Sequence, residues 1–199
     1  LSGDRKNLSD AQKDALVDAL VEAISADDID MVRGAIAMGA DMTRPARPPR
    51  SSGYSRAVRY PPLHWATCFG SGAVLREVAA HCASLEIKDD DGNTALLFGI
   101  MRGDAGAVLI LCGLGADPLA ENKGGEVALG KILDAPAGDR RTQILKALLT
   151  KNAALSDQVP DADRLGIEGG VQPVQKITVT PRENPSTPRS KGKNDGLKF

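Results

Sequence analysis

Side-chain catalysis needs a nucleophile beside a base, a carboxylate pair, a metal cluster or a phosphate-cradling turn, and each leaves a recognisable spacing. The chain offers two histidines, His64 and His81, and three cysteines, Cys68, Cys82 and Cys112. His81 and Cys82 adjoin, but no C-x-x-C or H-x-x-x-H spacing links them to Cys68 as a zinc site requires. Cys82 and Cys112 fall near the ends of helical stretches, where a thiol packs as a small apolar group. Asp89, Asp90 and Asp91 precede Gly92 without the spaced oxygen ligands and closing glutamate of a calcium loop, so they read as a hairpin tip. Lys123-Gly124-Gly125 and Gly169-Gly170 match neither a phosphate loop nor a dinucleotide turn. No serine sits on the strand-to-helix elbow of a hydrolase. The expectation is a protein that is not an enzyme and uses no metal or cofactor.

The chemistry that remains is recognition. Between positions 44 and 59 lie Arg44, Arg47, Arg50, Arg56 and Arg59, with Pro45, Pro48 and Pro49 and no acidic residue, while Tyr54 and Tyr60 stand among them. Guanidinium groups pair with carboxylates and phosphates and stack on aromatic faces, so this proline-stiffened basic finger suits phosphate, carboxylate or base-stacking contacts. A solvated surface loop is the alternative. With 25 Lys and Arg against 26 Asp and Glu, the whole molecule makes no bulk appeal to nucleic acid or anionic lipid. Any such contact must be local.

Elements that could position these residues emerge from self-similarity. Leu63, Leu96 and Leu129 stand 33 residues apart twice over, and Gly92-Asn93-Thr94-Ala95-Leu96 aligns with Gly125-Glu126-Val127-Ala128-Leu129. Pro61-Pro62-Leu63-His64-Trp65-Ala66 fills the same slot one unit earlier. Nineteen residues after Leu96 comes Gly115-Ala116-Asp117, and nineteen after Leu20 comes Gly39-Ala40-Asp41. Apolar spacing predicts short helices over 94–101 and 104–114, each too short to be stable alone. Ser9 and Gln12 read as a capping box opening a helix with Leu16, Leu20, Ala23 and Ile24 on one face and Asp10, Asp14, Asp18 and Glu22 toward solvent. Ile144, Leu145, Leu148 and Leu149 form the apolar stripe of a closing helix.

These residues resemble the ankyrin repeat family, whose 33-residue unit carries Thr-Pro-Leu-His-x-Ala and a closing Gly-Ala-Asp. The match covers roughly 14–154. Pro61 stands where the family has Thr, and the fourth unit keeps little beyond its Gly and Leu. The resemblance implies an all-α fold, an ankyrin-repeat solenoid of about four helix-pair units with hairpin-like loops. The expected units are about 10–42, 60–87, 88–120 and 121–154, with the basic insertion at 43–59, an N-terminal extension at 1–8 and an irregular tail at 155–199. It also implies a structural His64, bonded to turn backbone. The tail carries Pro160, Pro173, Pro181, Pro185 and Pro188, which break regular elements. Its stretch 171–179 could add as an extended arm to another protein.

By the same resemblance, Trp65, Cys68, Phe69, Phe98, Met101 and Arg102 face a concave groove. The chain has only six aromatic residues, and Trp65, Phe69 and Phe98 fall in these slots, where the stack itself does not demand them. The expected partner-binding set is an apolar hot spot of Trp65, Phe69, Phe98 and Met101, rimmed by Arg102 and by Arg44, Arg47, Arg50, Tyr54, Arg56 and Arg59. Asp90, Asn93 and Lys123 at the hairpin tips add polar specificity. Alanine at Trp65 and Phe98 should then weaken partner capture and leave helical content intact. The function implied is a non-catalytic adaptor or scaffold binding one or more proteins; the alternative is an accessory subunit of a large protein or ribonucleoprotein assembly, anchored by finger and tail. Three cysteines are too few for a disulfide scaffold, so a reducing compartment is expected, cytoplasmic or another intracellular one. The run 105–116 is too short to span a bilayer. The sequence begins at Leu1 rather than Met, and a removed targeting peptide would make the location organellar.

Overall fold

The computed structural model describes residues 8–55, 57–135, 138–151 and 159. The chain there is all-helical, with eight helices among the described residues: α1 (Asp10–Ser25), α2 (Ile29–Ala37), α3 (Pro62–Phe69), α4 (Gly72–Ala80), α5 (Ala95–Arg102), α6 (Ala105–Leu114), α7 (Ala128–Asp134) and α8 (Asp139–Lys151). Two isolated antiparallel bridges, Ala46 with Tyr60 and Lys88 with Thr94, are added to them. The extension at 1–7 and, Val159 apart, the tail call at 155–199 lie outside the described residues.

The helix starts are set by local chemistry. Ser9 Oγ accepts from Gln12 N while Gln12 Oε1 accepts from Ser9 N at 2.8 Å, closing the capping box on α1. Asp28, Ser71, Thr94 and Asp104 each accept a backbone N–H at the first turn of α2, α4, α5 and α6. Pro62 opens α3 without a side-chain cap, its fixed φ being suited to a first helical position. α3, α5 and α7 begin 33 residues apart, at 62, 95 and 128, and α4 and α6 begin at 72 and 105.

The turns before α5 and α7 repeat atom for atom. Asp89 N donates to Asn93 O at 3.0 Å, and Asp89 Oδ1 accepts from the N–H groups of Asp91 and Asn93. One unit later Asn122 N donates to Glu126 O at 3.0 Å, and Asn122 Oδ1 accepts from Gly124 and Glu126. Gly92 turns the first tip at φ 82°, and a Cβ there would lie 2.8 Å from Lys123 N, so glycine is required twice over.

α1, α3, α5 and α7 touch in succession, as do α2, α4, α6 and α8, and each odd helix touches the even helix that follows it. Leu20, Leu63, Leu96 and Leu129 are buried in one continuous core between these two rows. Val159 is buried in the same core. A second, smaller cluster joins Val17 and Val21 of α1, Ala46 of the finger and Trp65 of α3. α1 is twice the length of α3 or α5, and Val17 and Val21 in its middle turns serve this second cluster. Among the described residues, no helix is long and apolar enough to cross a membrane.

Candidate functional site

The finger lies on the odd row of helices. The arginine-rich limb runs along α1 in the same direction as the helix. Arg44 Nε donates to Asp14 Oδ1, and its guanidinium also approaches Asp10 at 3.5 Å. Further on, Arg47 N donates to Asp18 Oδ1 at 2.9 Å and Arg50 N to Glu22 Oε1 at 3.0 Å, with each guanidinium 3.8 Å from the same carboxylate. The Arg44 hydrogen bond holds the Asp14 carboxyl below the ordinary aspartate range and raises Arg44 in turn. Thus the acidic face of α1, expected to meet solvent, is the seat of the finger.

The returning limb is held by rings. Ala46 and Tyr60 exchange two backbone hydrogen bonds at 2.9 and 3.2 Å, closing the base of the finger. Trp65 Nε1 donates to Ala46 O at 3.1 Å, and Tyr54, Tyr60 and Phe69 pack around the indole at centroid distances of 5.5, 5.1 and 5.8 Å. Tyr60 lies parallel to the His64 ring and 4.8 Å from Phe98. Arg102, at the end of α5, donates to the Tyr54 hydroxyl and sits 5.7 Å from the Tyr54 ring and 5.9 Å from that of Phe98. The finger is therefore a strap from α1 across α3 to α5.

This arrangement corrects the expected hot spot. Trp65 has 0% of its surface exposed and Phe98 7%, against 56% for Met101. Trp65 and Phe98 are packing residues whose space is filled by the finger, which is why the stack alone gave no reason for them. Phe69 and Tyr54 are half-buried, and Met101 and Arg102 are exposed. Asn93 is buried as well: its side chain donates to Asp89 and accepts from Asn122, and its carbonyl takes the His64 Nε2 contact at 2.9 Å. Burial favours the uncharged His64 ring. Asp90 and Lys123 are exposed, and Lys123 Nζ donates to Asp90 O at 2.6 Å, tying one hairpin tip to the next. Arg59 is half-buried, with its charge acting on Asp14. Arg56 lies outside the described residues.

Tyr54, Phe69 and Arg102 form a partly accessible shelf, Tyr54 packing on Phe69 and accepting from Arg102, and the exposed Met101 precedes Arg102 on α5. Beneath it Cys68 is pushed up to about 11 by burial, and Cys82 and Cys112 reach about 11 and about 12 for the same reason. All three thiols are free. A shallow apolar cleft elsewhere, of about 220 Å³, is lined by Ile100, Val108, Ile132, Ala135 and Ile144 with Asp104 and Arg141 at its rim. Asp104 is occupied there as the cap of α6.

Sequence reasoning missed the role of Asp10, Asp14, Asp18 and Glu22 as partners of the finger. The signal was present: acids at every fourth position on a helix form one line, and arginines at every third position form one line on an extended chain.

No family model matches the chain. A curated relative, "Zinc finger CCCH domain-containing protein 50" of Oryza sativa subsp. japonica, is 30% identical over 158 residues, which is 75% of this chain and 24% of that protein. The chain thus spans about a quarter of the length of the curated relative it matches. Among the described residues, no group of three or more His, Cys, Asp and Glu could hold a metal ion.

Proposed function

We propose that the chain is an ankyrin-type array of four helix pairs serving as a non-catalytic protein-binding module, an adaptor or scaffold whose contact face is the odd row of helices and the finger strapped across it. The observation that carries this reading is the shelf of Tyr54, Phe69, Met101 and Arg102. An exposed methionine and arginine beside two half-buried aromatics are the side chains that anchor protein interfaces. The 33-residue recurrence of helix starts and turn bonds supports the ankyrin assignment. Similarity to a quarter of a longer zinc finger protein fits a module that works attached to other domains. Three free thiols fit a reducing compartment. Engagement of Arg44, Arg47 and Arg50 by α1 weighs against anchoring to phosphates, and so against the ribonucleoprotein alternative.

The test is a photo-crosslinking residue placed at Met101 in the full chain, with the equally exposed Met38 of the even row as control. A discrete protein adduct at Met101, absent at Met38 and competed by untagged chain, is the expected result. Identical adduct patterns at both positions, or none at Met101, overturn the assignment.

A further inference from the structure

We propose that the face of α1 and α3 beneath the finger is a binding groove for extended arginine- and proline-rich peptides, and that residues 44–50 are its built-in occupant. The inference deepens the reading of the odd row as a contact face, naming the chemistry of the partner.

Three features of the seat argue for it. Asp10, Asp14, Asp18 and Glu22 stand one helical turn and a little more apart, about 6 Å at 1.5 Å per residue, in a line along α1. The segment Arg44-Pro45-Ala46-Arg47-Pro48-Pro49-Arg50 repeats every third residue. Pro45, Pro48 and Pro49 stiffen the segment, and its three arginines follow α1 in chain order. Their contacts fall in register, Arg44 to Asp14, Arg47 to Asp18 and Arg50 to Glu22. On the other side Ala46, Pro48 and Pro49 are buried, and the indole N–H of Trp65 grips the Ala46 carbonyl. A tryptophan donating to a carbonyl of a proline-rich strand, between aromatic rings and beside carboxylates, is how such peptides are read in general. Charge complementarity selects the occupant: the ladder is anionic and its present guest carries three arginines without an acid.

The guest is also exchangeable in principle. The side chain of Arg50 is 87% exposed and that of Arg47 47%, so each pair contributes little on its own. What favours the cis occupant is its tether, equivalent to a local concentration on the order of millimolar. A partner would therefore bind weakly to the closed chain and well to a chain whose finger has been unlatched.

The experiment uses the full chain carrying Arg44→Glu, Arg47→Glu and Arg50→Glu, and a labelled synthetic peptide of residues 42–53 followed by anisotropy. The unlatched chain is expected to bind the peptide at least about tenfold more tightly than the unaltered chain, reflecting loss of the tethered competitor. Replacing the peptide's three arginines by glutamine, or adding Asp14→Asn and Asp18→Asn to the chain, should remove that gain. Emission from Trp65, the sole tryptophan, should shift on binding. Equal affinity for both chains, equal affinity for the glutamine peptide, or no binding by an unlatched chain of unchanged helical signal overturns the proposal. So does a finger-exchanged dimer that takes up no peptide. Should the triple variant lose its helices, a chain with 44–52 replaced by a Gly-Ser linker of equal length carries the same readouts. A Met101 adduct that persists while the peptide fails to bind would sink this inference alone.

Discussion

Replacing Trp65 separates a packing residue from a surface anchor. The side chain is fully buried, touches three other rings and donates to Ala46 O at 3.1 Å. Truncating a buried tryptophan to alanine costs about 3–5 kcal/mol through lost transfer energy and the void left behind. Trp65→Phe keeps most of the ring. It removes the indole hydrogen bond, yet Ala46 O still accepts from Tyr60 N at 3.2 Å, so no carbonyl is orphaned. That substitution should cost about 1–2 kcal/mol. With a urea slope of about 2 kcal/mol per molar, the alanine variant should lose about 1.5–2.5 M in its midpoint and the phenylalanine variant about 0.5–1 M, followed by far-UV circular dichroism. Because Trp65 belongs to the cluster under the finger and not to the main core, part of the loss should be local. Trypsin should cut after Arg50 and Arg59 in Trp65→Ala before the helices unfold. An alanine variant with stability within about 0.5 kcal/mol of the unaltered chain, as for an ordinary surface residue, would refute the packing role and restore Trp65 as a presented anchor.

Three further outcomes follow from the same contacts. The hydrogen bond from Arg44 depresses the Asp14 carboxyl in the folded chain, so the stabilisation is complete above the ordinary aspartate value of 3.8 and is lost as pH falls through the lower native one. Any loosening of the finger reported by Trp65 emission should therefore be confined below about pH 4, and a transition at higher pH would contradict this. Burial raises the thiols to about 11 for Cys68 and Cys82 and about 12 for Cys112, so all three should react with a disulfide reagent at pH 8 on the order of a hundredfold more slowly than in urea. Cys68 alone should gain reactivity when Arg44, Arg47 and Arg50 are changed to glutamate, and equal acceleration of Cys112 would mean global loosening instead. Gly92→Ala, at φ 82° with Lys123 N in the way, should cost about 2 kcal/mol or more, and Gly103→Ala, at φ 73° with open space, about 1 kcal/mol. Equal thermal shifts for the two would remove the argument from close approach.

Much of the helical order was legible because it is local. The spacing predicted helices over 94–101 and 104–114, and α5 and α6 occupy Ala95–Arg102 and Ala105–Leu114. The capping box on α1 and the His64 contact with the Asn93 carbonyl follow from residues within one unit or its repeat. The error lay where an element departs from the period. α3 has eight residues and six of them are buried, Trp65 included, more than a helix in a two-row array needs to hide. Another layer covers it, and among the described residues the insertion supplies it through Ala46, Tyr54 and Tyr60.

That layer changes what the charges mean. Read alone, the finger's arginines promise an acidic partner and the carboxylates of α1 promise solvent. Placed together they neutralise one another, and the molecule presents a shelf of Tyr54, Phe69, Met101 and Arg102 instead of a basic rim. Exposed pairs of this kind contribute little individually, so the position of the finger is decided by the rings around Trp65, while the arginine ladder sets its register along α1. A partner competing for the seat must therefore match the spacing as well as the charge. Lysine in place of Arg44 would keep the charge and lose the planar fork that reaches Asp10 and Asp14 at once.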